Sequence, residues 1–545
     1  MSGKADLALR NGLIYIPGLG KAVRGSLAVE GERISYCGPD HALEPFLGPD
    51  TQTISAEGKM ILPALHDSHI HSIFGGLFIP ECDLTGLASP EAYLQAIAAY
   101  AKKYPGKACI RGHGWLSGVF GHNPPHKRQL DEIAANRPVL LHSADGHSAW
   151  ANSAMLKISG ITRDTQNPPG GTIEHDDATG EPSGLLHELA AIELAAARLP
   201  KPEPEEMESG GEAFMRRMLS FGIAGIHDAA AFPDSLEACK ALDDAGKLRL
   251  RVDCALFADP AENIAQLPQL KRQREHYRGK RLRADTVKIF LDGTSEGHTA
   301  LVLEPYADLP GQTGQSLWDS KLFLKTVRKL DAEKFRVHVH AMGDGAVRLA
   351  LDAFEAAAAQ NGSRDSRHMI SHIELVHPSD VPRFKQLGVT ANFQPSWFYK
   401  DTYSDAGLEA ILGKTRFNRR FRMKTLWDSG AKVVYGSDWP VGGDYVTCNP
   451  FESLQIGVTR RDLSARPPDY MPEEKMTPSA MLDAMTLNGA YAAFAEKETG
   501  TLEAGKLADL TVVDRDLLAA PQAELGKTQV NMTVVGGKIE YRHKL

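Results

Sequence analysis

Short β-type apolar runs alternate along most of the chain with longer segments in which apolar residues recur at helical spacing. Eight runs stand out: Met60–His71, Ile223–Asp228, Arg251–Phe257, Asp285–Asp292, Phe335–His340, Met369–Glu374, Val389–Gln394 and Lys432–Asp438. Helical segments such as Lys321–Glu333 and Ala346–Ala359 lie between the later ones. Strand followed by helix, eight times over, predicts an α/β fold in which parallel strands close into a (β/α)8 TIM barrel. Its functional residues are then expected at the C-terminal ends of the strands.

The two ends of the chain have a different texture. Residues 8–38 and the stretches Ala508–Asp514 and Val530–Tyr541 are short strands punctuated by turn residues, including Asn11-Gly12 and Glu30-Gly31. Neither end makes a sandwich alone, so both are expected to build one small β-sandwich domain, from residues 1–60 and 496–545. Barrel strand one then occupies 61–74 and the remaining barrel 223–495. Residues 75–222 exceed any ordinary strand-to-helix loop and predict an inserted subdomain, a lid and substrate selector over the barrel mouth. Within it Val139–His142 reads as a strand, and Glu91–Tyr104 and Leu185–Leu199 as helices.

Composition narrows the function classes. The 545 residues are 42% hydrophobic and 24% charged, values of a soluble globular protein. A net charge of −8 gives no electrostatic reason to expect nucleic acid as a partner. The six cysteines are scattered without a CxxC pair, no apolar leader opens the chain, and no apolar run is long enough to span a membrane. The expectation is a cytoplasmic protein with a small-molecule substrate, no nucleic-acid or membrane partner, and a homodimer left open.

The strand ends carry the chemistry. On a strand, residues two apart face the same side, so His69 and His71 can aim both imidazoles at one ion. Later strand ends add Lys288, His340, His372 and Asp438. Four imidazoles and a carboxylate suit zinc, as one or two divalent ions whose identity stays open. A lysine beside such ions loses its proton readily, and the neutral amine can capture carbon dioxide to become a bridging carboxylate.

These residues lie in recognisable surroundings: Leu62-Pro-Ala-Leu-His-Asp-Ser-His-Ile-His71, Gly112-His-Gly-Trp115, Asp145-Gly-His-Ser-Ala-Trp-Ala-Asn152, Val287-Lys-Ile-Phe-Leu-Asp-Gly293, Val339-His-Ala-Met-Gly-Asp-Gly345, Arg367–His372, Gly436-Ser-Asp-Trp-Pro-Val441 and Gly500–Leu510. Together they resemble the amidohydrolase superfamily, in particular the YtcJ-like branch that contains N-substituted formamide deformylases. The resemblance implies His69 and His71 on one metal, His340 and His372 on the other, Lys288 as a carboxylated bridge, and Asp438 as ligand and general base. It also implies hydrolysis of a carbon–nitrogen bond, an amide with N-substituted formamides foremost, by a metal-activated hydroxide. Hydrolysis of an ester, carbamate or cyclic imide on the same site, and a non-catalytic ligand-binding or regulatory barrel, stay open as alternatives. Two departures from the family pattern bear on the substrate: Thr-Ser-Glu-Gly-His-Thr follows Gly293 where small residues and arginine are usual, and Ser371 replaces a frequent glutamate.

Trp115, His147, Glu296, His298 and Trp397 are candidates for the substrate pocket. Core packing competes with that role for Trp115, where the flanking glycines favour an exposed loop. His338 reads as a histidine that supports the ligands from behind or packs in the core. The basic runs Lys271–Arg283 and Arg416–Lys424 read as the solvated face of one helix and as an amphipathic barrel helix.

Overall fold

Eight parallel strands follow one another in chain order: Leu65–Ile70, Ile223–Ala231, Arg251–Phe257, Leu282–Phe290, Arg336–Ala341, Met369–His372, Thr390–Phe393 and Lys432–Tyr435. They form a nearly closed barrel, and every expected strand is present. This computed structural model describes residues 4–121, 123–168, 171–200, 203–400, 407–442, 446–464 and 469–543. Among them, no helix is long and apolar enough to cross a membrane.

The barrel closes without a regular ladder between its last and first strands. Beyond the strand ends, the Asp438 N–H donates to the His69 carbonyl at 2.7 Å and the His71 N–H to the Trp439 carbonyl at 3.0 Å. The chains approach closely because Gly436 has no side chain: a Cβ there would lie 2.5 Å from the Cβ of His69. Asp67 locks the same seam, its Oδ1 accepting the N–H of His69 at 3.1 Å and of Ser437 at 3.0 Å.

The run Met60–His71, expected as one strand, belongs to two sheets. Met60–Pro63 pairs antiparallel with Leu510–Val513 and parallel with Leu13 and Ile14, inside the eight-stranded sheet built by both termini. Leu65–Ile70 enters the barrel. Pro63 carries no N–H and cannot continue a ladder as donor. The next two amides then divide: Ala64 donates to Asp509 O at 3.0 Å, and Leu65 to Gly222 O at 2.9 Å at the foot of barrel strand two.

The insertion has a six-stranded sheet and its own core of Trp115, Trp150, Phe120 and Tyr93. Its helix Pro90–Lys103 forms as its ends dictate: Ser89 accepts the Ala92 N–H, Pro90 opens the first turn, and Lys102 and Lys103 close the last. Two helical expectations are corrected. Leu185–His187 ends a strand, Pro182–His187, paired with Ser148–Trp150, and the helix there spans Glu188–Ala196. Arg416–Lys424 is not one amphipathic helix: Lys414–Phe417 and Met423–Asp428 are separate, with Phe421 between them at φ +51°. The break turns buried Arg420 toward Glu374, 3.3 Å away.

Under the metal-ligand level the barrel is filled by a polar network. Asp253 receives His227 and Arg336, and His227 Nε2 meets His338 Nδ1 at 2.9 Å. Arg336, Arg283 and Arg367 also donate to the carbonyls of Ala492, Ala493 and Tyr491 at the C-terminal end of helix Leu487–Ala492. They satisfy helix-end carbonyls that burial would otherwise leave unpaired.

Burial also holds several histidines neutral. It pushes His66 down to about 3, helped by His227, and His142 to about 4, helped by His113. Burial likewise lowers His368, against the opposing pull of Asp331. An unfolded histidine titrates near ~6.5, so below that pH the unfolded chain binds protons that the folded chain refuses. Stability is therefore expected to fall steadily as pH drops from about 6.5 toward 4. Thermal melts of metal-free protein across this range check it; a flat profile would contradict the burial of neutral imidazoles.

Candidate metal centre

The closure seam delivers two ligand-bearing segments to one point. Asp438 Oδ1 lies 3.0 Å from His69 Nε2 and 3.1 Å from His71 Nε2. Its backbone is left-handed at φ +58°, and His372 across the barrel stands at φ +74°. Such strain in non-glycine residues costs about 1–3 kcal/mol each and gathers at functional sites. Ligand atoms of His69, His372 and Asp438 all lie within 4.8 Å of one another, and all three residues are buried.

The remaining candidates surround this cluster. The His340 ring packs against His372 at 4.5 Å between centroids. Lys288, wholly buried, places Nζ 3.5 Å from His69 Nε2 and 4.9 Å from the centre of the Phe290 ring. All six expected metal-site residues thus meet at the C-terminal end of the barrel.

A chain of hydrogen bonds orients the His372 ring. Asn392 Nδ2 donates to the Ser68 carbonyl at 3.0 Å, which leaves Asn392 Oδ1 to accept Gln394 Nε2 at 2.7 Å. Gln394 Oε1 then faces His372 Nδ1 at 2.9 Å and accepts its proton. The same Nδ1 lies 3.8 Å from Asp438 Oδ2, so Gln394 holds the ring at the edge of the ligand cluster, as outer partners orient a metal-site imidazole.

Electrostatics agree with this donor set. Burial, reinforced by Lys288, pushes His69 down to about 3 and lowers His340 strongly; burial and the His340 charge do the same to His372. Burial alone would raise Asp438, but His69, His71 and His372 outweigh it and hold the carboxyl well below its usual range. Burial brings Lys288 down to about 7. The site therefore offers neutral imidazole lone pairs, an ionised carboxylate and a lysine that readily gives up its proton, a set that fits a divalent cation of the zinc type.

The five substrate-pocket candidates divide. Trp397 stacks on His372, 5.5 Å between centroids and 13° from parallel. His147, on the insertion, comes to 6.5 Å from the His340 ring. Glu296 is exposed on the loop after barrel strand four. His298 is turned to Asp308 at 3.0 Å and packs on Tyr306. Trp115 is corrected: fully buried, it donates Nε1–H to Leu141 O at 2.7 Å and packs against Phe120 and Trp150 in the insertion core. Gly112 and Gly114, which pointed to an exposed loop, serve close packing instead, since Cβ atoms there would lie 2.4 Å from Cys82 O and 2.5 Å from Thr85 Oγ1.

Several residues of the site escaped sequence reasoning. Asn392 and Gln394 had a usable signal, the period-two spacing at the end of a strand. Asp67 had none for its bond across the seam, because Ser437 is 370 residues away. Asp292 is another: buried, it accepts the amides of Leu301, Met342 and Gly343 and thereby holds the loop behind His340.

Comparison with known proteins places this geometry. A model described as the amidohydrolase family matches residues 52–541. The chain is 30% identical to Protein LONG AFTER FAR-RED 3 of Arabidopsis thaliana, over 98% of this chain and 92% of that protein. It is 26% identical to the N-substituted formamide deformylase of Arthrobacter pascens, over 99% of each. Among solved structures, an uncharacterized metal-dependent hydrolase from Pyrococcus furiosus is similar with a TM-score of 0.72 and 26% identity, over 94% of this chain and 99% of that one.

Proposed function

Given that the chain belongs to the amidohydrolase family, as a metal-dependent hydrolase of carbon–nitrogen bonds other than peptide bonds, we propose that it hydrolyses small amides, N-substituted formamides foremost. The observation that carries the reading is the convergence of His69, His372 and Asp438, with His71, Lys288 and His340 against them, at the barrel mouth. His69 and His71 would hold one ion and His340 and His372 a second, with Asp438 as a ligand and Lys288, carboxylated on Nζ, as the bridge. Zinc is the ion such donors favour. Bound there, divalent ions supply Lewis-acid polarisation of the carbonyl and lower the pKa of water.

The chain's own residues do the rest. Asp438, ionised at neutral pH, accepts the proton of the attacking water and returns it to the departing nitrogen, which otherwise leaves poorly. Trp397 offers an aromatic wall beside His372 for an apolar substituent. The similarity to the deformylase supports a small acyl group on the other side of the bond.

The test combines a panel with a count. Zinc-loaded protein is expected to turn over formanilides and related formamides faster than acetamides, esters, carbamates or cyclic imides, and to lose that activity on chelation. Protein grown with zinc and bicarbonate is expected to hold about two metals per chain, falling in Lys288→Ala. Preference for an ester or imide would move the substrate class, and at most one metal, unchanged in the variant, would remove the bridge.

A further inference from the structure

Three helices that lead into barrel strands end in the same hydrogen-bonded turn, with glycine at its left-handed position: Gly246, Gly388 and Gly430, at φ +67°, +64° and +82°. Each glycine N–H donates to the third residue back, and the following N–H donates to the fifth residue back, as from Lys247 to Leu242 O at 2.8 Å. Glycine is usual there because it has no Cβ to crowd the neighbouring carbonyl.

Two other helices keep the turn without the glycine. After Ser320–Ala332 the position falls to Lys334, φ +66°, whose N–H donates to Asp331 O at 2.9 Å while the Phe335 N–H donates to Leu330 O at 3.0 Å. After Leu487–Ala492 it falls to Phe494, φ +52°, whose N–H donates to Tyr491 O while the Ala495 N–H donates to Ala490 O, both at 2.9 Å. A side chain in that conformation costs stability, so what these two side chains reach is informative.

Both line one cavity, of about 100 Å³, at the N-terminal end of the barrel and away from the metal-ligand level. Its cations are Arg283, Lys334, Arg336 and Arg364, and its carboxylates are Asp253 and Asp285. Arg336 is taken by Asp253, Arg364 is held by Asp331 at 2.7 Å, and Asp285 lies 3.5 Å from Arg278 outside the wall. Arg283 donates to the Ala493 carbonyl, and neither it nor Lys334 has a carboxylate partner among the described residues. Two positive charges are therefore in excess around the cavity. Lys334 and Phe494 are exposed, and the Phe494 ring rests 4.3 Å from the Arg367 guanidinium, which holds it in place.

We propose that this cavity binds a small oxyanion, a phosphate or carboxylate group held by Lys334 and Arg283, with the organic part of the molecule that carries it lying on the Phe494 ring. A water's share of liquid volume is about 30 Å³, so the space admits a group of phosphate size and leaves the rest of the molecule outside. The excess charge then meets its counter-charge, and the two strained turns gain a use that glycine could not supply. Such a ligand bridges the ends of two helices and stabilises the folded chain by mass action. The site is independent of the reaction at the other end of the barrel.

The test uses zinc-loaded full-length protein, the variants Lys334→Gly, Lys334→Arg and Phe494→Gly, and two probes, inorganic phosphate and phenyl phosphate, titrated by calorimetry. Lys334→Gly is expected to bind both at least about tenfold more weakly, the size of a charge-assisted hydrogen bond, with Lys334→Arg recovering part of the loss. Phe494→Gly is expected to weaken phenyl phosphate and leave inorganic phosphate unchanged. Without ligand, Lys334→Gly is expected to melt no lower than the wild type, because the turn loses its strain. Phosphate that binds equally to wild type and Lys334→Gly sits elsewhere, the metal centre included, and overturns the proposal, as does no binding at all. A ligand-free Lys334→Gly protein that melts well below the wild type would assign the lysine to the fold instead. Phenyl phosphate unaffected by Phe494→Gly would refute the aromatic half of the site.

Discussion

Asp438→Asn is expected to cut turnover about 10³-fold while the protein stays folded, the middle of the range for loss of a general acid–base group. The substitution keeps the side chain's size, and the backbone bond from Asp438 N–H to His69 O is untouched. What disappears is the negative charge that stands 3.0–3.1 Å from the Nε2 atoms of both His69 and His71. An amide nitrogen cannot accept a proton there, so water deprotonation and leaving-group protonation lose their carrier together. The carboxylate is also a proposed ligand, so metal content must be measured with the rate. Turnover near wild type at normal metal content would refute the general-base role. A loss of activity that excess zinc restores would assign Asp438 to metal binding alone.

The largest effect on stability is expected from Arg336→Met, a loss of about 3–5 kcal/mol, the range for removing one partner of a buried ion pair. Arg336 is buried at the foot of the barrel, where it meets Asp253, donates to Thr286 Oγ1 at 2.9 Å and caps the Ala492 carbonyl. Methionine fills similar volume and answers none of these groups. Asp253 would then be a buried carboxylate left with its His227 hydrogen bond and the charge of Arg283. Arg336 and His227 now hold that carboxyl well below its usual range, against the effect of burial. Denaturant midpoints measure the loss. Adding Asp253→Asn to Arg336→Met is expected to recover part of it, because the stranded charge goes too. A double variant no more stable than the single one would mean that the capped carbonyl, not the ion pair, matters most.

How much of this was visible in the chain depended on whether the signal was local. The eight barrel strands and their terminal residues could be read because period-two patterning and apolar runs are properties of neighbours, and His69-x-His71 is itself a local statement about one face. The division of Met60–His71 between two sheets was not readable from its unbroken apolar pattern, although Pro63 marked the spot. The seam was invisible for a different reason: Asp67 and Ser437 stand 370 residues apart, and nothing in either segment names the other. The contact of His147 with Glu188, 41 residues away, is a smaller case of the same problem. Trp115 shows a signal that points two ways, because glycine permits both a mobile loop and an unusually close approach of backbone, and only packing tells them apart.

The hand-over at Pro63 sets a timetable for biosynthesis. The strand bearing His69 leaves the ribosome long before Leu510–Val513, the antiparallel partner of the Met60–Pro63 segment to which it is tethered. The loop that must close to bring them together spans most of the chain, and its entropic cost is met only when both ends exist. Until then the first half of the metal centre has neither its outer sheet nor Asp438 beside it. Metal acquisition is thereby tied to synthesis of the segment that bears Asp438, and a nascent chain stalled before it would carry the histidine pair without the carboxylate that faces it.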